Sequence, residues 1–467
     1  MLKHKFKILT AALIALVVIS CDKKLDVEPR QSIDAKTALS TAADVDGAMV
    51  GCYSIMGGGA LYGCDLLMNP ELQASTSTSP NSEQYVSWVG TFTAQRQIAR
   101  KQMDRNNGEA SRIWNAAYGT INMANIVLAN LGVVTDADQK ASLEGEALFV
   151  RGIMHFELVR MFAQPWDAVG TNNGLGVVIK TTPTTTETEA FGKVPRNTIA
   201  EVYTQVINDL TNAAAKLPED NGNRADRYTA LAFLAKVYLQ QGNFTAARAA
   251  ANEVIESGYY GMNAAVNAVF DNKNTAESIF EIQQNEQNNA GTSNDGMATF
   301  FASLEGIGRA DVRVSIPLVS TYDPNDLRLL NWFYVGVGAR SGFIYCGKWK
   351  SFSQNLPIVR IAEMYLIRAE TNLRIGGAAV GDSPENDLAQ IRNPVRTGLN
   401  VITNPTLDDV LAERRFEFAC EGFKIHEVKR LKQNVGAYAW NANQLVYPIP
   451  QREVEATEGI IVQNPGY

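Results

Sequence analysis

Leu234-Ala235-Lys236-Val237-Tyr238-Leu239-Gln240-Gln241-Gly242-Asn243-Phe244-Thr245-Ala246-Ala247 is the stretch that decides the architecture. Apolar residues recur at helical spacing on both sides of Gly242-Asn243, a pair that reads as a turn. Small residues such as Ala235 and Ala247 let two helices approach closely, while larger ones such as Tyr238 wedge between them. The spacing is that of a tetratricopeptide unit, an antiparallel helix pair.

Working outward, the same 3.6-residue period predicts further helices. Upstream, one spans about 43–54 and ends at Gly57-Gly58-Gly59. Two long ones cover about 105–130, with Trp114, Tyr118, Ile121 and Ala124 on one stripe, and about 138–162, with Leu148, Arg151, His155 and Leu158 in register. Pro165 stops the second. Pro195-Arg196-Asn197-Thr198 leads into a helix through Val202, Val206 and Leu210 to Pro218. Downstream, a helix over 357–376 is expected to pair with one over 407–430. The polar segments 69–84 and 181–188 read as loops, and 277–350 mixes short strand-like runs (278–283, 330–335) with Gly- and Asn-rich connections. The expected fold class is therefore mainly α: a tetratricopeptide-like helical-repeat scaffold with an irregular, loop-rich half, about 270–350, carrying a few short strands.

The N-terminus is of another kind. Lys3, Lys5 and Lys7 precede an apolar run from Ile8 to Ile19, too short for the roughly 20 residues a membrane span needs. Basic flank, short apolar stretch and small residue describe an export signal over residues 1–20. Val18-Ile19-Ser20-Cys21 fits a bacterial lipobox, so Cys21 is expected to be lipidated, each buried CH₂ contributing about 0.8 kcal/mol of membrane affinity. Residues 21–36 read as a flexible tether and 37–467 as one domain. The formal charge of −7 becomes more acidic once the signal lysines are lost. That argues against nucleic acid and against electrostatic docking to anionic lipid. Cys52, Cys64, Cys346 and Cys420 form no CxxC pair, and sequence leaves a Cys52–Cys64 bridge and buried thiols both open.

Several of these segments together resemble the SusD/RagB family of surface lipoproteins. The ordered series is Cys21-Asp22-x-x-Leu25-Asp26; Trp114-x-x-x-Tyr118 with Ala124-Asn125; Glu144-x-Glu146-Ala147-x-Phe149-x-Arg151-Gly152; and Pro195-Arg196-x-Thr198 with Glu201-Val202-Tyr203 and Asp209-Leu210. It continues with Ser257-Gly258-x-Tyr260, Glu277-Ser278-Ile279-Phe280-Glu281, Pro357-Ile358-Val359-Arg360-x-Ala362-Glu363 and Glu413-Arg414-Arg415-x-Glu417-Phe418 with Glu421-Gly422. Tyr447-Pro448-Ile449-Pro450 and Gln463-Asn464-Pro465-Gly466-Tyr467 close it. The resemblance implies a tetratricopeptide-like fold and a lipoprotein anchored at the outer membrane, facing the cell surface. Such a protein sits as a lid on a SusC-like TonB-dependent transporter barrel, captures a glycan or a peptide and hands it over without breaking a bond. Two departures stand out: Asp22 is followed by Lys23-Lys24 where the family often has acidic residues, and the chain is short for the family.

Site chemistry is sparse. No GxSxG elbow, Walker loop, GxGxxG or HExxH is present, so no cofactor is expected, and no metal: nothing fixes a ligand set around Asp323, Asn325 and Asp326. Glu413, Glu417 and Glu421 step by four with Arg414 and Arg415 between, a charge-laced helix face rather than the two opposed carboxylates of glycoside hydrolysis. His155 and His426 read as core or helix-end histidines. Sugar capture asks for exposed aromatic faces with amides and carboxylates nearby. The candidates are Asn69, Tyr85 and Trp88 in the early polar segment, with Asn81 beside them, and Phe301 and Trp332 in the variable middle. Trp114, Trp166, Phe149 and Tyr238 sit at core spacing. Three rival readings remain: a peptide-binding member of the same family, a protein-only helical scaffold, and a surface glycoside hydrolase.

Overall fold

The structure, a computed structural model, describes residues 39–75, 85–190 and 192–467; the signal segment, Cys21, the tether and Asn81 lie outside them. Helices dominate. α1 (Ala42–Met56), α2 (Asp65–Ala74) and α3 (Thr93–Arg100) precede the two long helices α4 (Gly108–Asn130) and α5 (Ala137–Phe162). Then come α6 (Ile199–Lys216), α7 (Arg227–Gln241), α8 (Phe244–Glu256), α9 (Ile361–Ile375), α10 (Pro384–Ile391), α11 (Leu407–Glu417) and α12 (Lys424–Arg430). Each from α4 to α9 packs on the next, the layered antiparallel arrangement that the repeat predicts.

Local chemistry sets the boundaries. Asn107, Asp136, Asp226 and Asn243 cap the N-termini of α4, α5, α7 and α8 by accepting backbone N–H bonds, each worth about 1 kcal/mol. Gly242 closes α7 at φ 74°, a left-handed conformation that only glycine adopts cheaply, and Asn243 at once caps α8. Close approach of α5 to the end of α6 needs Gly145, where a Cβ would lie 2.7 Å from Leu217 Cγ. Beside it Arg151 clamps Asp209 at 2.6 and 2.9 Å. His155, one turn on, is buried and neutral. Its Nδ1 lies 2.9 Å from the Arg151 carbonyl, its Nε2 accepts the Lys180 N–H, and burial pulls its pKa down to about 4.

The segment between α8 and α9 contributes five strands and a sixth, β1, comes from between α2 and α3, forming three two-stranded antiparallel sheets among the described residues: β1 (Val86–Trp88) with β3 (Val312–Val314), β2 (Ser278–Ile282) with β6 (Leu356–Arg360), and β4 (Phe333–Val335) with β5 (Ile344–Cys346). Three expectations need correction here. The segment from Asn69 is not loop: Asp65–Ala74 is helical and buried along its whole length, and a helix with no solvent side shows no amphipathic stripe. The run 357–376 opens as strand, because Pro357, Val359 and Arg360 pair with β2 before the helix starts at Ile361. The helix over 407–430 is broken by positive φ at Cys420 (65°) and Gly422 (84°), which separates α11 from α12.

One apolar core runs from Val45 to Ile461. Segments near the C-terminus are stitched into it: Asn464 Nδ2 donates to the carbonyls of Phe162 and Tyr447, both at 2.7 Å, and Tyr447 N–H donates to Met161 at 2.8 Å. Among the described residues no helix is long and apolar enough to cross a membrane. Cys52, Cys64, Cys346 and Cys420 are all buried free thiols, so the Cys52–Cys64 bridge is not formed.

Candidate functional site

Residues 309–314 read Arg-Ala-Asp-Val-Arg-Val, polar and apolar in alternation. Successive strand residues point to opposite faces. Val312 and Val314 therefore enter the core, opposite Trp88 and Val86, while Arg313 turns outward beside Ser87. Asp311, buried, is shared by two guanidiniums: Arg309 at 2.8 Å and Arg340 at 3.3 Å. Arg340 also donates to the Val89 carbonyl, and Arg96 to that of Thr91 at 2.9 Å. Gly90 permits this crowding, since a Cβ there would lie 2.6 Å from both Asp311 Cγ and Trp88 Cζ2.

Aromatic rings back this arginine face. The Arg309 guanidinium lies 4.4 Å from the Phe92 ring centre and that of Arg313 3.4 Å from Phe343. Phe343 itself is 46% exposed at the tip of the β4–β5 hairpin, beside exposed Val335 and Val337. A ring beneath a guanidinium fixes its plane through cation–π attraction and leaves its N–H edges to solvent. Trp88 completes the surface, stacked on Phe92 (centroids 6.4 Å apart, planes at 29°) and tilted against Phe300 at 5.7 Å. Its indole is partly buried against the core, with Nε1 out of reach of solvent, and the remaining edge is left beside Phe92 and Arg309.

Of the residues expected to contact ligand, only Trp88 belongs to this face. Tyr85 instead lines a cavity of about 250 Å³ with Glu71, Arg414, Arg415, Phe423 and Lys424, and the Lys424 ammonium covers its ring at 4.2 Å. Glu71 accepts the N–H groups of Gly422 and Phe423 there, and burial lifts its pKa to about 7. Asn69, Phe301 and Trp332 are corrections: all three are fully buried. Asn69 lies in α2, Phe301 packs in the core, and Trp332 donates its indole N–H to the Val266 carbonyl at 3.1 Å while Lys348 covers the ring. Both aromatics of the variable middle fill its interior, because a loop-rich half needs large side chains to replace missing helix contacts. The residues missed were Phe92, Arg309, Arg313, Arg340 and Phe343, and the alternation 309–314 was the available signal.

The Glu413 series is a structural network, turned inward rather than out. Glu417 accepts from Arg360 at 2.8 Å, from Arg396 at 2.6 Å and from Arg328 at 3.1 Å; Glu421 engages Arg360 and Lys348; Arg328 also meets Glu413 and Asp326. Burial alone would raise the Glu417 pKa, but Arg396 and Arg360 beside it hold the carboxyl well below its ordinary range. Asp326 is committed to this cluster and to capping a short helix. Among the described residues no group of His, Cys, Asp or Glu is placed to hold a metal ion.

Comparison with known proteins agrees with this architecture. The family described as "Starch-binding associating with outer membrane" matches residues 25–239, and the SusD family matches residues 347–467. The SusD-like protein P2 of Formosa agariphila is 25% identical, with 99% of this chain and 100% of that protein aligned. Among solved structures, a SusD superfamily protein from Bacteroides vulgatus superposes with a TM-score of 0.79 at 23% identity, covering 91% of this chain and 99% of its own. A laminarin-binding SusD-like protein does so with a TM-score of 0.74 at 22% identity, covering 92% and 100%. Helical frame, buried Glu417 cluster and matched sequence segments lead to one assignment: the chain belongs to the SusD/RagB family.

Proposed function

We propose that the protein is a glycan-capturing lipoprotein of the outer membrane, anchored through Cys21 after removal of residues 1–20, that passes an oligosaccharide to a SusC-like transporter barrel without chemical change. The observation that carries this reading is the Trp88 face: a partly exposed indole, an exposed Phe343 and ring-backed arginines on short, rigidly paired strands. Sugar rings stack their C–H faces on aromatics while planar donors bind their hydroxyls. The family description, starch binding with outer-membrane association, supports the same reading. Against hydrolysis stands the placement of the carboxylates. The one at the face, Asp311, is buried between two arginines, and no second carboxylate opposes it among the residues described above, whereas hydrolysis needs a flanking pair.

The test is calorimetric titration of the purified protein against an oligosaccharide panel, with chromatography of the same mixtures for products. Saturable binding without products, weakened at least about tenfold by Phe343→Ala, supports capture at this face. Products, or binding indifferent to that change, overturn it. Metabolic labelling with a fatty acid, lost in Cys21→Ala, tests the anchor, and co-purification of a barrel protein tests the hand-over partner.

A further inference from the structure

Resting on that reading, we infer that the captured glycan is anionic, carrying sulfate esters or uronate carboxylates, and that Arg309, Arg313 and Arg340 recognise its charge. The argument is one of compensation. Four guanidiniums belong to this region: Arg309 and Arg340, which share Asp311; Arg96, at the Gly90 carbonyl; and Arg313, two residues along the strand from Asp311 and set on Phe343. Arg96 is occupied by carbonyls of its own loop. Arg313 has no carboxylate or carbonyl partner among the described residues; its one recorded contact is the Phe343 ring. Among the described residues, the neighbouring acids do not neutralise the group. Asp295 is taken by Arg112 at 2.6 Å, and the exposed Glu305 pairs with none of the four.

Several other guanidiniums of the protein are matched by carboxylates, although Arg415, like Arg313, rests on a ring and Arg196 is held by carbonyls. Arg151 holds Asp209, Arg368 holds Asp387 and Arg430 holds Glu370, each at 2.5 to 2.6 Å. The chain as a whole is acidic, so a local positive surplus runs against its average composition. The side chains of Arg309 and Arg340 keep 30% and 25% of their surface exposed, and the neutral contacts of Arg309 to Asn294 (3.3 Å) and Thr91 (3.5 Å) are long enough to be exchanged for a charged ligand oxygen. A guanidinium lying flat on a ring is already ordered, and its planar fork matches the paired oxygens of a sulfate or a carboxylate. A neutral hexose would gain stacking here but would leave the positive surplus unanswered.

The experiment is titration of the detergent-solubilised full-length protein with three probes of similar length: a neutral β-glucan oligosaccharide, its chemically sulfated form, and an oligogalacturonate. Each is measured at low and at physiological salt. The expected result is tighter binding of at least one anionic probe than of the neutral one, by about tenfold or more at low salt and less at high salt. Arg313→Gln and Arg309→Gln should each weaken the anionic probe several-fold and the neutral probe markedly less, with Arg313→Lys restoring part of the loss for the anionic probe. The preference between the two anionic probes separates sulfate from carboxylate recognition. Equal affinity for neutral and charged probes, no binding of either anionic probe, or anionic binding indifferent to both Gln variants overturns the inference. Phe343→Ala distinguishes the two failures. If it weakens a neutral probe while the Gln variants change nothing, the capture site stands and only the charge assignment falls; if it changes no binding, the site itself falls.

Discussion

The Glu417 cluster and the Asp311 face use the same chemistry to opposite ends. In the first, Arg328, Arg360 and Arg396 converge on Glu417, with Glu277, Glu413 and Glu421 completing the set, all of them with side chains no more than 3% exposed. In the second, one carboxylate serves two arginines and a third has only a ring for company. Burial explains the difference. A charge taken out of water must be matched by an opposite one or its desolvation cost is left standing, whereas a half-exposed guanidinium retains part of its hydration and can wait for a ligand. The Glu417 arginines have their counter-ions within the protein, and buried Arg196 is held by carbonyls alone; at the Asp311 face, among the described residues, the arginines outnumber the carboxylate.

The contrast is most directly broken at its closed end. Glu417→Ala removes the carboxylate that three buried guanidiniums share, leaving Arg396, among the described residues, with the Glu277 carboxylate alone at 3.4 Å, and should cost about 3–5 kcal/mol, read as a large fall in thermal midpoint or in the denaturant concentration at half-unfolding. A loss below about 1 kcal/mol would show that water reaches the cluster and that it is no more closed than the face.

Acid offers the next largest effect. His155 has its folded pKa pulled from 6.5 to about 4, so the unfolded chain binds the extra proton first as pH falls. Stability conferred by the neutral imidazole is intact above pH 6.5 and declines through the window down to about 4, by on the order of 3 kcal/mol in all. Glu71, lifted to about 7, acts in the opposite sense, favouring the folded state as pH falls from 7 toward 4.5. Chemical denaturation at pH 7.5 and 5 should therefore show a smaller acid loss in His155→Gln than in the natural chain and a larger one in Glu71→Gln.

At the open end, Arg313→Gln should change stability by less than about 1 kcal/mol, since it gives up one ring contact and no ion pair. A loss as large as that of Glu417→Ala would mean that Arg313 belongs to the framework, and the comparison would collapse.

The helical frame was legible because its signals are local. Gly242-Asn243 marks a turn by backbone conformation and capping, and the stripes of α4, α6 and α8 follow from one face meeting solvent, while α5 and α7, buried over most of their length, are marked by their caps and stops. Legibility failed where burial was total. α2 shows no periodicity because no side of it is wet, and Trp332 and Phe301 stand in largely apolar runs, Leu329–Val335 and Met297–Ala302, whose interior position was overlooked because the surrounding segment reads as loop. Trp88 was singled out because aromatics in polar surroundings stand out; the arginines near it were not, because arginine is common on any surface. What sets these apart is a missing counter-ion, which is a property of three-dimensional neighbours and not of adjacent residues.

The bonds from Asn464 to Phe162 and from Tyr447 to Met161 have a consequence for the order in which the molecule is completed. The final turn of α5 receives its partners from residues 302 positions later, so the helical repeats can form early while the packing at their edge stays open until the end of the chain arrives. Contacts so distant in sequence are slow to form, and a chain stopped short of Tyr447 would carry a nearly complete set of helices with an unsealed seam. Quality control that senses exposed apolar surface would recognise such a fragment at that seam, far from the place where synthesis stopped.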